Sequence, residues 1–190
     1  NNRRIPRAEN GQIREIINYK SGILNGIRLL IDKKGKLKEQ EFYSDGMNDG
    51  RQIYFYDNGK IKEDKIFNMG SLNGEYKKYY RNGKIQEDAN FIKNKKNGTS
   101  SWYFDNGILS IQYKYSMGSI VDTVFTYFKS GKLKSQIPYR NNNPNGEKIV
   151  FYESGMISIK GSLKNGKKIG QWCEYDSLGV SKKCIEYNNN

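Results

Sequence analysis

Few residue types in this chain could carry catalytic chemistry. Its 190 residues include no histidine and two cysteines, Cys173 and Cys184. Without histidine no His-based dyad, triad, metal site or proton shuttle can form, and two cysteines are too few for a structural zinc site. Carboxylates such as Glu63 and Glu87 recur at a fixed spacing, so we expect them to balance neighbouring lysines. We predict a non-enzymatic protein without cofactor, metal or small-molecule substrate.

The two cysteines are placed symmetrically about Leu178-Gly179. If the chain forms a hairpin there, they are cross-strand partners at a Cα separation that suits a disulfide. We predict a Cys173–Cys184 disulfide, with two adjacent reduced thiols as the alternative. The disulfide would favour an extracytoplasmic protein, because such bonds seldom persist in a reducing cytosol.

The charge is strongly positive. Lys and Arg number 33 against 20 acidic residues, a formal net charge of +13. One interpretation is a solvated surface. The other is a partner of opposite sign drawn in by long-range attraction. The candidates are an acidic protein, then an anionic membrane surface, then nucleic acid. The last is the least favoured, since it would need one continuous basic groove interleaved with exposed aromatic side chains.

The glycines show how the chain is organised. One column of glycines recurs every 24 residues, and two further columns follow it after eleven and fifteen residues, with Asn or Asp where Gly is missing. Gly161 alone falls outside the columns. Asn and Asp tolerate positive φ best among non-glycine residues, so the columns predict left-handed backbone positions. The first column consists of Gly11, Gly35, Gly59, Gly83, Gly107, Gly131, Gly155 and Gly179.

Each 24-residue unit has the pattern of two short strands. An aromatic-rich strand such as "IYFY" (53–56) precedes an Asn-Gly pair, which indicates a two-residue type I′ turn, and a mixed strand such as "KIKEDKIF" (60–67) follows. We predict an all-β protein: an elongated single-layer antiparallel β-meander of about seven 24-residue β-hairpin repeats. The array would span 11–187 as one domain, with a degenerate N-terminal cap (1–10) and a polar tail (188–190).

A two-residue turn would place positions equidistant from Asn-Gly on one face of the sheet. Phe55 would then face Lys62, and Tyr127 would face Lys134, while Tyr56 and Ile61 belong to an apolar opposite face. We predict partner binding by this aromatic and basic ladder, with ring stacking that merely stiffens the sheet as the alternative. The predicted binding residues are Phe55, Tyr79, Tyr103, Tyr127, Phe151, Tyr175, Lys62, Lys134 and Lys182.

The unit "Y-[YF]-x-N-G-K-[IL]-x-x-E-x-x-[YF]-x-x-G-x-x-x-G" resembles the MORN-type repeat, in the variant found in YwqK-type antitoxins and in bacterial surface or secreted proteins. The resemblance extends from Gly11 to Tyr187 and is strongest at Glu39, Glu63 and Glu87. It implies a protein-interaction module, either an antitoxin-like neutraliser of a toxin or a surface-exposed array that binds a host protein. The competing class is a structural or membrane-associated scaffold that binds anionic lipid headgroups through basic loops. A secreted or cell-surface location is expected, or a cytoplasmic one for an antitoxin.

Overall fold

A computed structural model describes residues 2–188, so positions 1, 189 and 190, including most of the predicted polar tail, lie outside the described residues. The chain divides into two compact units, Asn1–Lys95 (unit 1) and Lys96–Asn190 (unit 2). The predicted single-domain organisation stays a prediction.

Unit 1 is an antiparallel meander in which the strands of three or more residues pair in chain order, while the two-residue strand Met47–Asn48 pairs with the strand before it. A two-residue strand, β10 (Lys95–Lys96), contains the last residue of this unit and the first of the next. The strands of unit 1 are β1 (Asn2–Arg4), β2 (Glu15–Lys20), β3 (Ile23–Ile31), β4 (Leu37–Ser44), β5 (Met47–Asn48), β6 (Gly50–Phe55), β7 (Ile61–Asn68), β8 (Ser71–Tyr79) and β9 (Ile85–Ile92).

Unit 2 repeats the same antiparallel arrangement, in which the strands of four or more residues pair in chain order. Around the return turn at Asn141-Asn142, two strands of two residues each pair with one another as a separate ribbon. The strands are β11 (Gly98–Tyr103), β12 (Leu109–Ser116), β13 (Ser119–Ile120), β14 (Val124–Tyr127), β15 (Leu133–Ile137), β16 (Tyr139–Arg140), β17 (Asn143–Pro144), β18 (Gly146–Phe151), β19 (Ile157–Lys164), β20 (Lys167–Tyr175) and β21 (Ser181–Tyr187).

The fold class is confirmed as an all-β, single-layer antiparallel meander. The described part of the chain contains no helix, and therefore none long and apolar enough to cross a membrane. The glycine columns are also confirmed as left-handed positions. The one exception is Asp122, which lacks the positive φ of its column.

The Asn-Gly turns differ from the prediction. Gly59 N–H donates to Tyr56 O over 2.9 Å, Tyr56 N–H donates to Lys60 O over 2.8 Å, and positive φ occurs at Gly59 (82°) but not at Asn58. This is a type I turn closed by a glycine bulge, one residue longer than a type I′ turn. The Asn58 side chain supports it by accepting a bond from Lys60 N–H. The predicted type I′ geometry at Asn-Gly was therefore wrong.

Type I′ geometry occurs instead at the other turn of each repeat. Ser21 and Gly22 have φ values of 50° and 80°, and Lys20 pairs directly with Ile23 across them. The same two successive left-handed residues recur at each later return turn, at Asp45, Met69, Lys93, Met117, Asn141 and Asn165 with the residue that follows each. These turns also connect successive repeats of unit 1, since Gly46 N–H donates to Leu24 O and Gly70 N–H to Asn48 O.

The N-terminal segment predicted to be a degenerate cap forms part of the sheet. Strand β1 pairs with β2, with Arg3 opposite Asn18 and Arg4 opposite Ile17. This matches the register of the later hairpins, so the segment retains the repeat's backbone although it lacks the aromatic strand.

The core is thin, as expected of a single layer. Few side chains are fully buried, and polar ones are among them. In unit 1 the amide of Gln52 is fully buried and substitutes for a backbone partner, because it donates to Phe42 O and accepts from Phe42 N–H, at 2.8 and 3.0 Å. Each repeat is therefore held mainly by neighbouring strands, as in other repeat arrays.

Candidate functional site: a cationic groove in unit 2

One face of each hairpin differs in chemistry between the two units. We call it the inner face; in unit 1 it includes Arg28, Glu41 and Tyr54, and in unit 2 it includes Lys148, Trp172 and Ile185. A single repeat column shows the change. It holds Glu15, Glu39, Glu63 and Glu87 in unit 1, and Ile111, Ser135, Ile159 and Lys183 in unit 2. The glycine columns are the same in both units while this column varies, so the two inner faces differ in chemistry.

In unit 1 the inner face is a self-contained ion network centred on Arg28. The guanidinium of Arg28 lies 2.5 Å from Glu15, 2.7 Å from Glu41 and 3.7 Å from Glu39. Glu41 is only 6% exposed and also accepts hydrogen bonds from the hydroxyls of Tyr43 and Tyr54, over 2.9 and 2.8 Å. A buried carboxylate needs this many partners to remain charged. We call these residues the Arg28 cluster.

The protonation behaviour of the Arg28 cluster agrees with its geometry. Burial raises the pKa of Glu41, but hydrogen bonds from Tyr54, Arg28 and Tyr43 together lower it below its ordinary value. Burial and then the bond to Glu41 raise the pKa of Tyr54. Burial opposes the charge of Arg28, but its bonds to Glu41 and Glu15 raise its pKa. The charges of the Arg28 cluster are therefore satisfied internally, and the cluster has a structural role.

In unit 2 the inner face forms a groove with a volume of 460 Å³. Strands β18 to β21 position its central row, because Lys148 pairs with Gly161 and Trp172 pairs with Ile185. We call this feature the Trp172 groove. It is lined by Ile137, Tyr139, Pro144, Lys148, Ile159, Leu163, Gly166, Lys168, Trp172, Cys173, Glu174, Lys183, Ile185 and Tyr187.

Trp172 forms the floor of the groove, and Gly161 makes room for it. A Cβ atom at Gly161 would lie 2.2 Å from Trp172 Cδ2, far inside van der Waals contact. The indole is 7% exposed, and its N–H donates to Ser162 O over 3.0 Å. Its ring meets that of Tyr187 edge-on at 6.4 Å. The glycine outside the periodic columns thus serves side-chain packing, and it was the sequence signal that could have located this site.

Three lysines, Lys148, Lys168 and Lys183, line the Trp172 groove. Lys168 Nζ lies 4.6 Å from the ring centroid of Trp172 and 5.0 Å from that of Tyr187. Within residues 2–188 none of the three ammonium groups forms an ion pair. One carboxylate, Glu174, also lines the groove. The Trp172 groove is therefore apolar at its floor and positively charged around it.

The predicted disulfide is confirmed. Cys173 and Cys184 are directly opposed on β20 and β21, with Cα atoms 4.1 Å apart, and their sulfur atoms are bonded. The prediction succeeded because this pair lies on the side of the hairpin where the register follows simple symmetry about the turn. The bond joins the strands that carry Trp172 and Ile185, so it fixes one wall of the Trp172 groove.

The pairings that led to the predicted binding ladder need correction. The glycine-bulge turn is one residue longer than the predicted turn, so the strand pairing next to it is shifted by one residue. Phe55 pairs with Ile61, Tyr127 with Leu133 and Tyr175 with Ser181, not with the predicted lysines. Likewise Tyr79 pairs with Ile85, Tyr103 with Leu109 and Phe151 with Ile157. The aromatic column therefore lies beside the aliphatic column that was predicted for the opposite face.

A second register shift in each hairpin skips Lys62, Lys134 and Lys182, and all three are exposed. The six aromatic residues of the predicted ladder are half-buried. None of these nine described residues lines the Trp172 groove. Tyr175 and Trp172 are three positions apart on β20, and side chains alternate along a strand, so they point to opposite faces of the sheet.

Among residues 2–188 no group of three or more His, Cys, Asp or Glu side chains is arranged to hold a metal ion. The Trp172 groove itself contains one carboxylate and three amines. This set offers charge pairing and apolar contact to a ligand.

Comparison with known proteins agrees with the repeat architecture. The family model of the MORN repeat variant matches four stretches, 48–68, 72–93, 96–116 and 123–141. Repeats of this kind are generally associated with binding to proteins or membranes. A search of curated proteins gave no match. Most of the Trp172 groove lies beyond residue 141, outside the four matched stretches. From its periodic turns, its antiparallel hairpins and these four matched repeats, the chain is a member of the MORN repeat variant family.

Proposed function

We propose that this chain is a non-enzymatic binding module whose ligand is another protein. The observation that carries the proposal is the Trp172 groove, in which an apolar floor is surrounded by lysines that form no ion pair with any residue from 2 to 188. Aromatic residues are enriched at the centres of protein-binding surfaces, and polar groups surround them at the rim.

The contrast with unit 1 supports this assignment. There the charged side chains of the inner face pair with one another, since Arg28 contacts three glutamates. In unit 2 the equivalent column contains no glutamate, so the lysines of the groove are available to pair with a carboxylate of the ligand. A scaffold with no ligand would gain nothing from unpaired like charges around an apolar depression.

The disulfide supports one of the two roles implied by the resemblance. Cys173–Cys184 favours an oxidising compartment, so we propose a secreted or surface-exposed binding array rather than a cytoplasmic antitoxin-like neutraliser. A scaffold on an anionic membrane is the alternative function, supported by the net charge of +13. The nine residues of the predicted ladder remain a proposed alternative contact surface, with the exposure of Lys62, Lys134 and Lys182 as their support.

Charge-reversed variants test the proposal. We expect the wild-type chain to form a stoichiometric complex with a protein partner, measured by light scattering after size-exclusion chromatography, and we expect K148E/K168E/K183E to lose it. The control K20E/K33E/K132E makes the same change in net charge at exposed lysines outside the groove. This control should retain the complex.

Two results would overturn the proposal. The first is equal loss of the complex in both triple variants, which would reduce the interaction to nonspecific attraction. The second is sedimentation with vesicles that contain phosphatidylserine but not with phosphatidylcholine vesicles, in the absence of any protein complex. That outcome would support the membrane scaffold.

A further inference from the structure

Resting on the proposed function, we propose that the Trp172 groove binds an acidic segment of the partner that presents one aromatic or aliphatic side chain. That side chain would pack on the Trp172 indole, and flanking carboxylates would pair with Lys148, Lys168 and Lys183. The inference specifies both the chemistry of the ligand and the residues that select it.

The apolar anchor follows from how Trp172 is seated. Its indole rests on Gly161, its N–H is satisfied by Ser162 O, and Ile185 stands beside it on the next strand. The exposed remainder of Trp172 (7%) and its neighbour Ile185 (40% exposed) therefore form an apolar surface with no unmet hydrogen bond, which suits a side chain without polar groups. A depression of 460 Å³ is within the range of pockets that enclose small ligands, so it can hold one large side chain with its flanking backbone.

The acidic character follows from charge. Three ammonium groups face one carboxylate in the Trp172 groove, which leaves its local charge positive. Lys168 is held against the rings of Trp172 and Tyr187, so its ammonium stands next to the anchor position. A cationic peptide would be repelled there, and a neutral one would supply no carboxylate to three ammonium groups that form no ion pair within residues 2–188.

The shape favours a peptide over a bilayer. A tryptophan that inserts into a membrane must project from the surface, whereas this indole is 7% exposed and lies at the bottom of a concave site. A narrow peptide can reach it while its carboxylates contact the lysines. Lipid headgroups at a flat interface would meet the lysines and leave Trp172 uncovered.

The direct test uses a short synthetic peptide with one Phe between runs of Glu, titrated into the full chain by calorimetry. We expect binding that weakens with salt, because it depends on charge. We expect much weaker binding when Phe is replaced by Ser, by about thirtyfold for loss of a central aromatic anchor, and similarly when the Glu residues are replaced by Gln.

Variants of the chain locate the bound peptide. Each of K148Q, K168Q and K183Q should weaken binding about two- to fivefold, whereas K20Q, K33Q and K132Q should not. Gly161→Ala should also weaken binding, because the added methyl displaces the indole. The lysine variants do not depend on the core, so the test stands even where Gly161→Ala fails to fold.

Equal binding of the Phe and Ser peptides, or unchanged binding in the three groove variants, would overturn the inference. The inference would also be overturned if the chain bound phosphatidylserine vesicles but did not bind the peptide. If the peptide does not bind while a protein complex persists and is still lost in K148E/K168E/K183E, the proposed function stands and the acidic-segment inference alone fails.

Discussion

Replacing Arg28 with Met should destabilise unit 1 in a way that depends on pH. Arg28 makes two close charge-assisted bonds, to Glu15 at 2.5 Å and to Glu41 at 2.7 Å. Its removal leaves Glu41 charged and buried with only tyrosine donors. Breaking a fully buried pair costs about 3–5 kcal/mol. The Arg28 side chain is 27% exposed, so water partly replaces the lost bonds, and we expect a loss of about 2–3 kcal/mol at neutral pH.

The pH dependence follows from the lowered pKa of Glu41. A carboxyl whose pKa is lower in the folded state stabilises the fold above its unfolded pKa, and that stability is lost as the pH falls through the folded pKa. The wild-type chain should therefore lose stability below the ordinary value of 4.5. Without Arg28, the pKa of Glu41 rises toward or above that value. The difference between wild type and variant should shrink in acid.

Urea denaturation followed by circular dichroism, at neutral pH and at about pH 3, measures both effects. Arg51→Met is the matched control, because Arg51 pairs with Asp64 but is 58% exposed. Exposed pairs contribute about 0–1 kcal/mol. Equal destabilisation by the two substitutions, or a difference between Arg28→Met and wild type that does not change with pH, would refute the assignment of Glu41 as a buried carboxylate held charged by Arg28.

Three further predictions concern the disulfide, the return turns and the aromatic ladder. Reduction of Cys173–Cys184 should destabilise the last hairpin by about 2–3 kcal/mol, seen as faster amide exchange in β21, and intact mass without reductant should show no free thiol; two free thiols would contradict the bond. Met69 and Met117 are exposed and have φ values of 44° and 46°, so Asn at either position should raise the unfolding free energy by about 0.5–1 kcal/mol. The control Met47→Asn, at an exposed position without positive φ, should not raise it. A lower unfolding free energy for the Met69 and Met117 variants would argue against left-handed turns. Replacing Tyr79, Tyr103 and Tyr127 with Ser should lower the melting temperature, because these half-buried rings pair with Ile85, Leu109 and Leu133 on the next strand; an unchanged thermal melt together with weaker partner binding would instead make the ladder the contact surface.

The repeat determined most of the fold from local rules. Left-handed backbone positions require Gly, Asn or Asp, so their 24-residue spacing predicted each turn, and the strands between the turns followed from their β-forming residues. The Cys173–Cys184 pair was predictable for the same reason. It lies beyond a second register shift, between Glu174 and Tyr175, which restores the symmetry about the turn. These features depend on the chain's own neighbours in sequence.

Tertiary structure alone decided what the faces of the sheet do. The glycine-bulge turn changed the partners of the aromatic residues, and a second register shift left Lys62, Lys134 and Lys182 without a cross-strand partner, because a single extra residue changes which side chains are opposed. The Arg28 cluster joins side chains from β2, β3, β4 and β6. The Trp172 indole fits because Gly161, on the neighbouring strand, has no side chain. A repeat pattern shows which column a residue belongs to, but these contacts depend on the volume and charge of the side chains in adjacent columns. Packing between strands therefore decided where the charges are satisfied internally and where a groove stays open to a ligand.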